Sequence, residues 1–133
     1  MKTCLMYAGQ GSQYAGMGLD ILSTHPYLQY IFDDASQILN EDVMAWFNDP
    51  ESLKNTYQTQ LMMVITQELF DQVLKDIHID AVFGFSLGDM SALKRAGIIS
   101  YKEMLMLTQA RAKAMQLAAD ASKGMMAAVL KLD

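Results

Sequence analysis

Hydrophobic and polar positions follow two rhythms along this chain. Unbroken apolar runs, each closed by glycine, stand at residues 3–8 (Thr-Cys-Leu-Met-Tyr-Ala) and 81–85. Their length and flanking glycines predict two short buried strands. Elsewhere apolar residues recur three or four apart. Ile21, Leu22, Leu28, Ile31, Phe32, Ala35, Ile38 and Leu39 predict an amphipathic helical stretch interrupted at His25-Pro26, where proline suits the first turn of a second helix. A helical turn over 43–47, a turn at 48–51 and a further short turn over 50–54 follow. Thr59, with Leu61, Met62, Val64, Ile65, Leu69, Val73 and Leu74, opens a long helix to about residue 77, capped by Thr56 or Thr59. A helix over 87–96 ends at Gly97, and Ser100 caps another that keeps its period to about residue 118. Ser122-Lys123-Gly124 reads as a turn, and Met125 to Leu132 is apolar and β-compatible. Strands separated by long helices predict an α/β fold with a parallel sheet, in which both glycine-bearing loops share one carboxyl edge.

The second strand runs into Gly84-Phe85-Ser86-Leu87-Gly88 and then into a helix. Strand, Gly-x-Ser-x-Gly, helix is the context of a nucleophile elbow. Its turn is so tight that a Cβ at either glycine would strike a neighbouring element. Such a turn sets the serine hydroxyl above the first N–H groups of a helix, where developing negative charge is stabilised. The competing reading is an ordinary loop, because the motif is short. Gly9-Gln10-Gly11-Ser12-Gln13 is a second glycine loop. It has no Gly-Lys-Ser/Thr and fails the Gly-x-Gly-x-x-Gly spacing, which argues against nucleotide binding.

Composition narrows the field. A chain of 133 residues with 52% hydrophobic positions can bury one core. The net charge of −5, with scattered Lys and Arg, argues against a nucleic-acid partner. No apolar stretch nears the roughly 20 residues of a membrane span, and no signal peptide is visible, so no membrane partner and a cytoplasmic setting are expected. The single cysteine, Cys4, excludes an internal disulfide and a multi-cysteine metal site; its apolar run predicts a buried, inert thiol. No metal or cofactor is expected. The twelve methionines read as core filler, with a partner surface as the alternative.

Four segments in order resemble the malonyl-CoA:acyl carrier protein transacylases. Gly9-Gln10-Gly11-Ser12-Gln13 is similar to the family's GQGSQ loop, and Asn55-Thr56 with Thr59-Gln60 to its Thr-x-x-Gln-Pro segment, with Leu61 in place of proline. Gly84-Phe85-Ser86-Leu87-Gly88-Asp89 resembles GHSLGE, and Arg111 with Met115-Gln116 resembles the Arg-x-x-x-Met-Gln helix. The resemblance implies the α/β-hydrolase-like large subdomain of the acyltransferase fold over residues 1–124, with residues 125–133 starting a ferredoxin-like small subdomain that is cut short. It implies Ser86 as the nucleophile that carries malonyl from its CoA thioester, a substrate and not a cofactor, to the phosphopantetheine thiol of acyl carrier protein. Catalytic roles also fall to Gln10 and Leu87, whose backbone N–H groups would form the oxyanion hole. Arg111 would grip the malonyl carboxylate, Gln60 would wall the site, and Phe85 would line it. Independently, Leu107 and Met115 are the i−4 and i+4 neighbours of Arg111 and predict that it faces inward, where a guanidinium needs an anion.

Departures from the family pattern are equally specific. Phe85 replaces a histidine, which bears on acyl specificity, and Asp89 replaces glutamate. The family's general-base histidine belongs to a later segment, while this chain has only His25 and His78. His78 lies eight residues before Ser86, at the far end of the strand. The expected partners are therefore malonyl-CoA, acyl carrier protein and a C-terminal complementing segment, with little activity from the chain alone. A serine hydrolase is the rival enzyme class, although Asp80 and Asp89 both fit the orienting role poorly. A non-catalytic module that binds carrier protein is the third reading.

Overall fold

The computed structural model describes residues 2–121, so the turn at Ser122 and the segment 125–133 lie outside the described residues. Two strands, β1 (Cys4–Tyr7) and β2 (Ala81–Gly84), pair in parallel with Cys4 opposite Ala81 and Tyr7 opposite Gly84. Six α-helices accompany them: α1 (Leu19–Thr24), α2 (Gln29–Leu39), α3 (Val43–Asn48), α4 (Thr56–Val73), α5 (Gly88–Arg95) and α6 (Tyr101–Ala121). Short 3-10 turns fill Pro26–Leu28 and Pro50–Lys54. The connection between the strands is thus a crossover built of helices and contains no described strand, as parallel pairing requires.

The helix ends follow from local chemistry. Asn55, not Thr56 or Thr59, caps α4: its side chain accepts the Gln58 N–H at 3.1 Å. The Thr59 hydroxyl instead donates to the Leu53 carbonyl. Ser100 and Glu103 form a reciprocal capping box at the start of α6, which runs three residues beyond the expected end. Gly97, at φ 73°, closes α5 with Gly97 N–H donating to Lys94 and Ile98 N–H to Leu93.

The core lies on one side of the sheet. Leu28, Ile31 and Phe32 meet Leu61, Ile65 and Leu69 of α4 there, all nearly inaccessible to solvent. Burying each such side chain contributes about 1.5–3 kcal/mol. α4 packs on α2, α5 and α6, and α5 lies against both strands, which fixes the elbow relative to the core. The methionines divide: Met17, Met62, Met63 and Met104 are core, whereas Met6 and Met106 are exposed.

The strands are shorter than expected and not buried on both faces. Tyr7 and Gly84 are enclosed, but Cys4, Met6, Ala81 and Phe83 face outward, with Met6 70% exposed. Cys4 is therefore an exposed thiol, contrary to the expectation of a buried one. Continuous apolar runs are the mark of parallel strands covered on both sides, and among the described residues only one side is covered. None of the described helices is long and apolar enough to cross a membrane.

Candidate functional site

Ser86 adopts φ 54°, a left-handed conformation that non-glycine residues seldom hold. Two glycines make it possible. A Cβ on Gly84 would collide with the backbone of Asp89, and one on Gly88 with the Tyr7 carbonyl. The Phe85 N–H donates to the same Tyr7 carbonyl at 3.0 Å, so the end of β1 braces both sides of the bend. Ser86 is exposed and Leu87 fully buried at the head of α5. This is the elbow geometry, not an ordinary loop.

The first glycine loop abuts the elbow. A Cβ on Gly9 would stand 2.6 Å from the Phe85 carbonyl oxygen. The loop holds its own shape, with Gly11 N–H donating to the Gln13 side chain at 2.7 Å and the Ser12 hydroxyl to the Gly9 carbonyl. Among the described residues the backbone N–H groups of Gln10 and Leu87 have no acceptor.

Arg111 reaches Ser86 from α6. Its Nη2 donates to Ser86 Oγ at 3.1 Å and its Nη1 to the Gln60 side-chain oxygen at 2.7 Å. Gln60, fully buried, donates its amide to the Gln10 side chain at 3.2 Å and lies as close to Met115 Sδ. One hydrogen-bonded chain thus joins Gln10, Gln60, Arg111 and Ser86. Among the described residues no carboxylate pairs with Arg111, leaving a half-buried cation beside an exposed hydroxyl. The inward placement was expected from Leu107 and Met115, but those are 48% and 39% exposed. The buried neighbours are Thr108 and Ala112. Phe85 presents an exposed ring beside the serine.

The remaining candidates stay apart. His78 is exposed and lies 3.4 Å from Asp80, whose carboxylate accepts the Thr3 N–H at the opposite end of the sheet. His25 ends α1 with its ring against Tyr27. Asp89 is exposed in the first turn of α5, so neither Asp80 nor Asp89 meets a histidine next to the serine.

The model of the acyl transferase domain family matches residues 4–132. This chain belongs to that family. Among curated relatives, the malonyl CoA-acyl carrier protein transacylase of Synechocystis is 38% identical over 136 residues, covering all of this chain and 45% of the relative. The crystal structure of the Synechocystis transacylase superposes with TM-score 0.82 at 37% identity, over 94% of this chain and 42% of that one. A malonyl-transacylase solved in complex with a type II polyketide synthase acyl carrier protein gives TM-score 0.82 at 32% identity, over 89% of this chain and 40% of that one. The chain therefore spans less than half the length of these relatives, and its α/β architecture is that of their acyltransferase fold.

This acyl transferase domain also holds a polar stripe of which the sequence motifs pointed only to Gln60. Gln60, Gln67 and Asp71 lie seven and four residues apart on the one face of α4 that looks toward the loops and strands. Gln67 ties the Ala8 carbonyl at 2.8 Å to the Ser91 hydroxyl at 2.6 Å, linking the first loop to α5. Asp71 accepts the Tyr7 hydroxyl and faces Lys94 and Arg95, while Lys94 also pairs with Glu68. Burial drives the Asp71 carboxyl above the usual carboxylate range, opposed by the Tyr7 hydroxyl and the two cations. Burial, then the bond to Asp71, pushes the Tyr7 phenol far up, so it remains a donor. Polar residues at helical spacing in an otherwise apolar helix were the available signal.

Proposed function

We propose that this acyl transferase domain supplies the nucleophile, oxyanion donors and carboxylate grip for transfer of malonyl from coenzyme A to an acyl carrier protein, in fatty-acid or polyketide biosynthesis and in a cytoplasmic setting. Ser86 Oγ attacks the thioester carbonyl, the carbon–sulfur bond breaks, and coenzyme A leaves as the thiol with the serine's proton. The phosphopantetheine thiol of the carrier then attacks the acyl-serine ester and returns a proton to Ser86. The N–H groups of Gln10 and Leu87 receive the oxyanion in both steps, each worth about 3 kcal/mol to the transition state. Arg111 holds the malonyl carboxylate through its planar fork.

The observation that carries this reading is the Arg111 guanidinium at 3.1 Å from a serine hydroxyl held at φ 54°. A nucleophile alone would suit any acyl group. A cation that no carboxylate among the described residues pairs with, at that distance, selects an acyl group that bears its own carboxylate. Neither of the two histidines in this sequence, His25 and His78, stands at the elbow, so we assign proton transfer to a histidine that these 133 residues do not contain, brought by a complementing segment. Turnover by the 133 residues alone is then expected to fall on the order of 10⁴-fold below that of a complete site.

The test is mass spectrometry of the chain after incubation with malonyl-CoA, followed by addition of a phosphopantetheinylated carrier protein. A malonyl adduct on the Ser86 peptide, absent in Ser86→Ala and cleared by carrier, is expected. An adduct that survives Ser86→Ala would refute the nucleophile, and rapid turnover by the chain alone would refute the missing proton acceptor.

A further inference from the structure

Two side chains hold consecutive peptide units where β1 gives way to the first glycine loop. The Gln67 amide donates to the Ala8 carbonyl at 2.8 Å, and the Ser12 hydroxyl donates to the Gly9 carbonyl at 3.0 Å. A trans peptide unit is planar, and its C=O and N–H point opposite ways. Ser12 therefore sets the direction of the Gln10 N–H, which shares a unit with the Gly9 carbonyl, and Gln67 sets the unit before it. Only the dihedrals of Gly9 separate the two, and glycine's own sterics restrict them least. The direction of the Gln10 N–H thus depends on both anchors.

The other end of the Gln67 carboxamide reaches α5. Its oxygen accepts from the Ser91 hydroxyl at 2.6 Å, and Ser91 is buried one helical turn beyond Leu87. The orientation of the amide follows, because a carbonyl can only accept and so takes the nitrogen, which leaves the oxygen for the hydroxyl. One turn further along α4, Asp71 accepts the Tyr7 hydroxyl, so this helix grips the end of β1 at two successive residues. Among the described residues the hydrogen bonds of Gln67 reach neither Ser86 nor Arg111.

We propose that Gln67 is a positioning residue for acyl transfer: by tying the Ala8 carbonyl to Ser91, its carboxamide fixes the spacing and direction of the two oxyanion donors, the N–H groups of Gln10 and Leu87. Such donors act only where they already stand at the position in which charge develops, and a displacement of about 1 Å can cost about 100-fold in rate. No other pairing of groups fits this bridge as well. Leucine keeps the packing and loses both ties, while an ionised glutamate still serves Ser91 but sets an oxygen against the Ala8 carbonyl. The inference rests on the reading of Gln10 and Leu87 as oxyanion donors, and its test separates the two.

Malonylation of Ser86 by malonyl-CoA, and its phosphonylation by a fluorophosphonate ester from which Ser86 Oγ displaces fluoride, are timed by mass spectrometry in the 133-residue chain and its variants. Both reactions build charge on an oxygen held by the same donors, but only the first needs the carboxylate grip. Gln67→Leu is expected to slow phosphonylation and the limiting rate of malonylation about 10- to 100-fold, with the half-saturating malonyl-CoA concentration unchanged. Gln67→Glu should slow both at least as far. Ser91→Ala frees one end of the bridge and should slow both about 3- to 10-fold, yet bring no further loss when added to Gln67→Leu. Unchanged rates in Gln67→Leu would overturn the proposal. So would a raised half-saturation at an unchanged limiting rate, or losses that multiply in the double variant. If Gln67→Leu does not fold, Gln67→Glu and Ser91→Ala decide by the same rates. Phosphonylation without malonylation would refute malonyl transfer and leave Gln67 to be decided by the phosphonylation rates, whereas absence of both adducts would overturn both readings.

Discussion

Arg111 donates to Ser86 Oγ at 3.1 Å through one nitrogen and to the Gln60 oxygen at 2.7 Å through another. The guanidinium is therefore aimed by a neutral amide, which orients the cation without neutralising it. Replacing Arg111 by alanine is expected to weaken malonyl-CoA binding about 10- to 100-fold, the range of a charge-assisted hydrogen bond. Acetyl-CoA, which lacks the carboxylate, should bind equally to both proteins. Calorimetry with the two ligands decides it; an equal loss for both would mean that Arg111 supports the fold and not the acyl group.

Gln60 offers a sharper test. It is fully buried, and its carboxamide serves Gln10 and Arg111 at once. Gln60→Glu keeps the shape but gives Arg111 a buried counter-ion, so malonyl-CoA binding should fall as far as in Arg111→Ala while the melting temperature holds or rises. Gln60→Leu strands both partners and should cost about 1–3 kcal/mol of stability. If Gln60→Glu binds malonyl-CoA normally, the free charge on Arg111 is not what the ligand meets.

The glycines of the elbow predict a contrast in stability. A Cβ at Gly88 would run into the Tyr7 carbonyl, which is backbone and braced by Phe85, whereas a Cβ at Gly97 would meet nothing within 4 Å. Gly97→Ala therefore costs only the left-handed conformation at φ 73°, about 1 kcal/mol. Gly88→Ala adds overpacking and should cost on the order of 3 kcal/mol or more. Urea melts of the two variants check the order; similar midpoints would mean that β1 yields to the extra carbon.

The elbow was legible in the sequence because Gly84 and Gly88 are demanded by backbone contacts that no other residue permits. The pairing of Gln60 with Arg111 was not, since 51 residues separate them and only the family resemblance linked both to one site. The cap of α4 was misplaced because asparagine and two threonines compete within one turn, and tertiary contact sent the Thr59 hydroxyl to Leu53. Strand burial was overestimated for a related reason. Apolar runs report how many faces a strand expects to have covered, and Cys4 and Met6 lack a cover that these residues do not supply.

Asp71 makes stability depend on pH in a direction opposite to most carboxylates. Burial is the largest influence on it and raises its pKa above the ordinary 3.8, with Tyr7, Lys94 and Arg95 pulling downward. A carboxyl whose folded pKa exceeds its unfolded one binds more protons in the folded chain between the two values, so stability falls as pH rises through that interval. The contribution is most favourable below the unfolded value, declines up to the raised folded value and is level beyond it. Asp71→Asn removes this titration and leaves the Tyr7 hydroxyl an acceptor. The difference in unfolding free energy, native minus variant, should therefore decline from about pH 3.5 upward and then flatten, measured by urea melts at closely spaced pH. A difference that climbs over the same interval would mean that Lys94 and Arg95 outweigh burial, and that the brace beneath the elbow is held by charge.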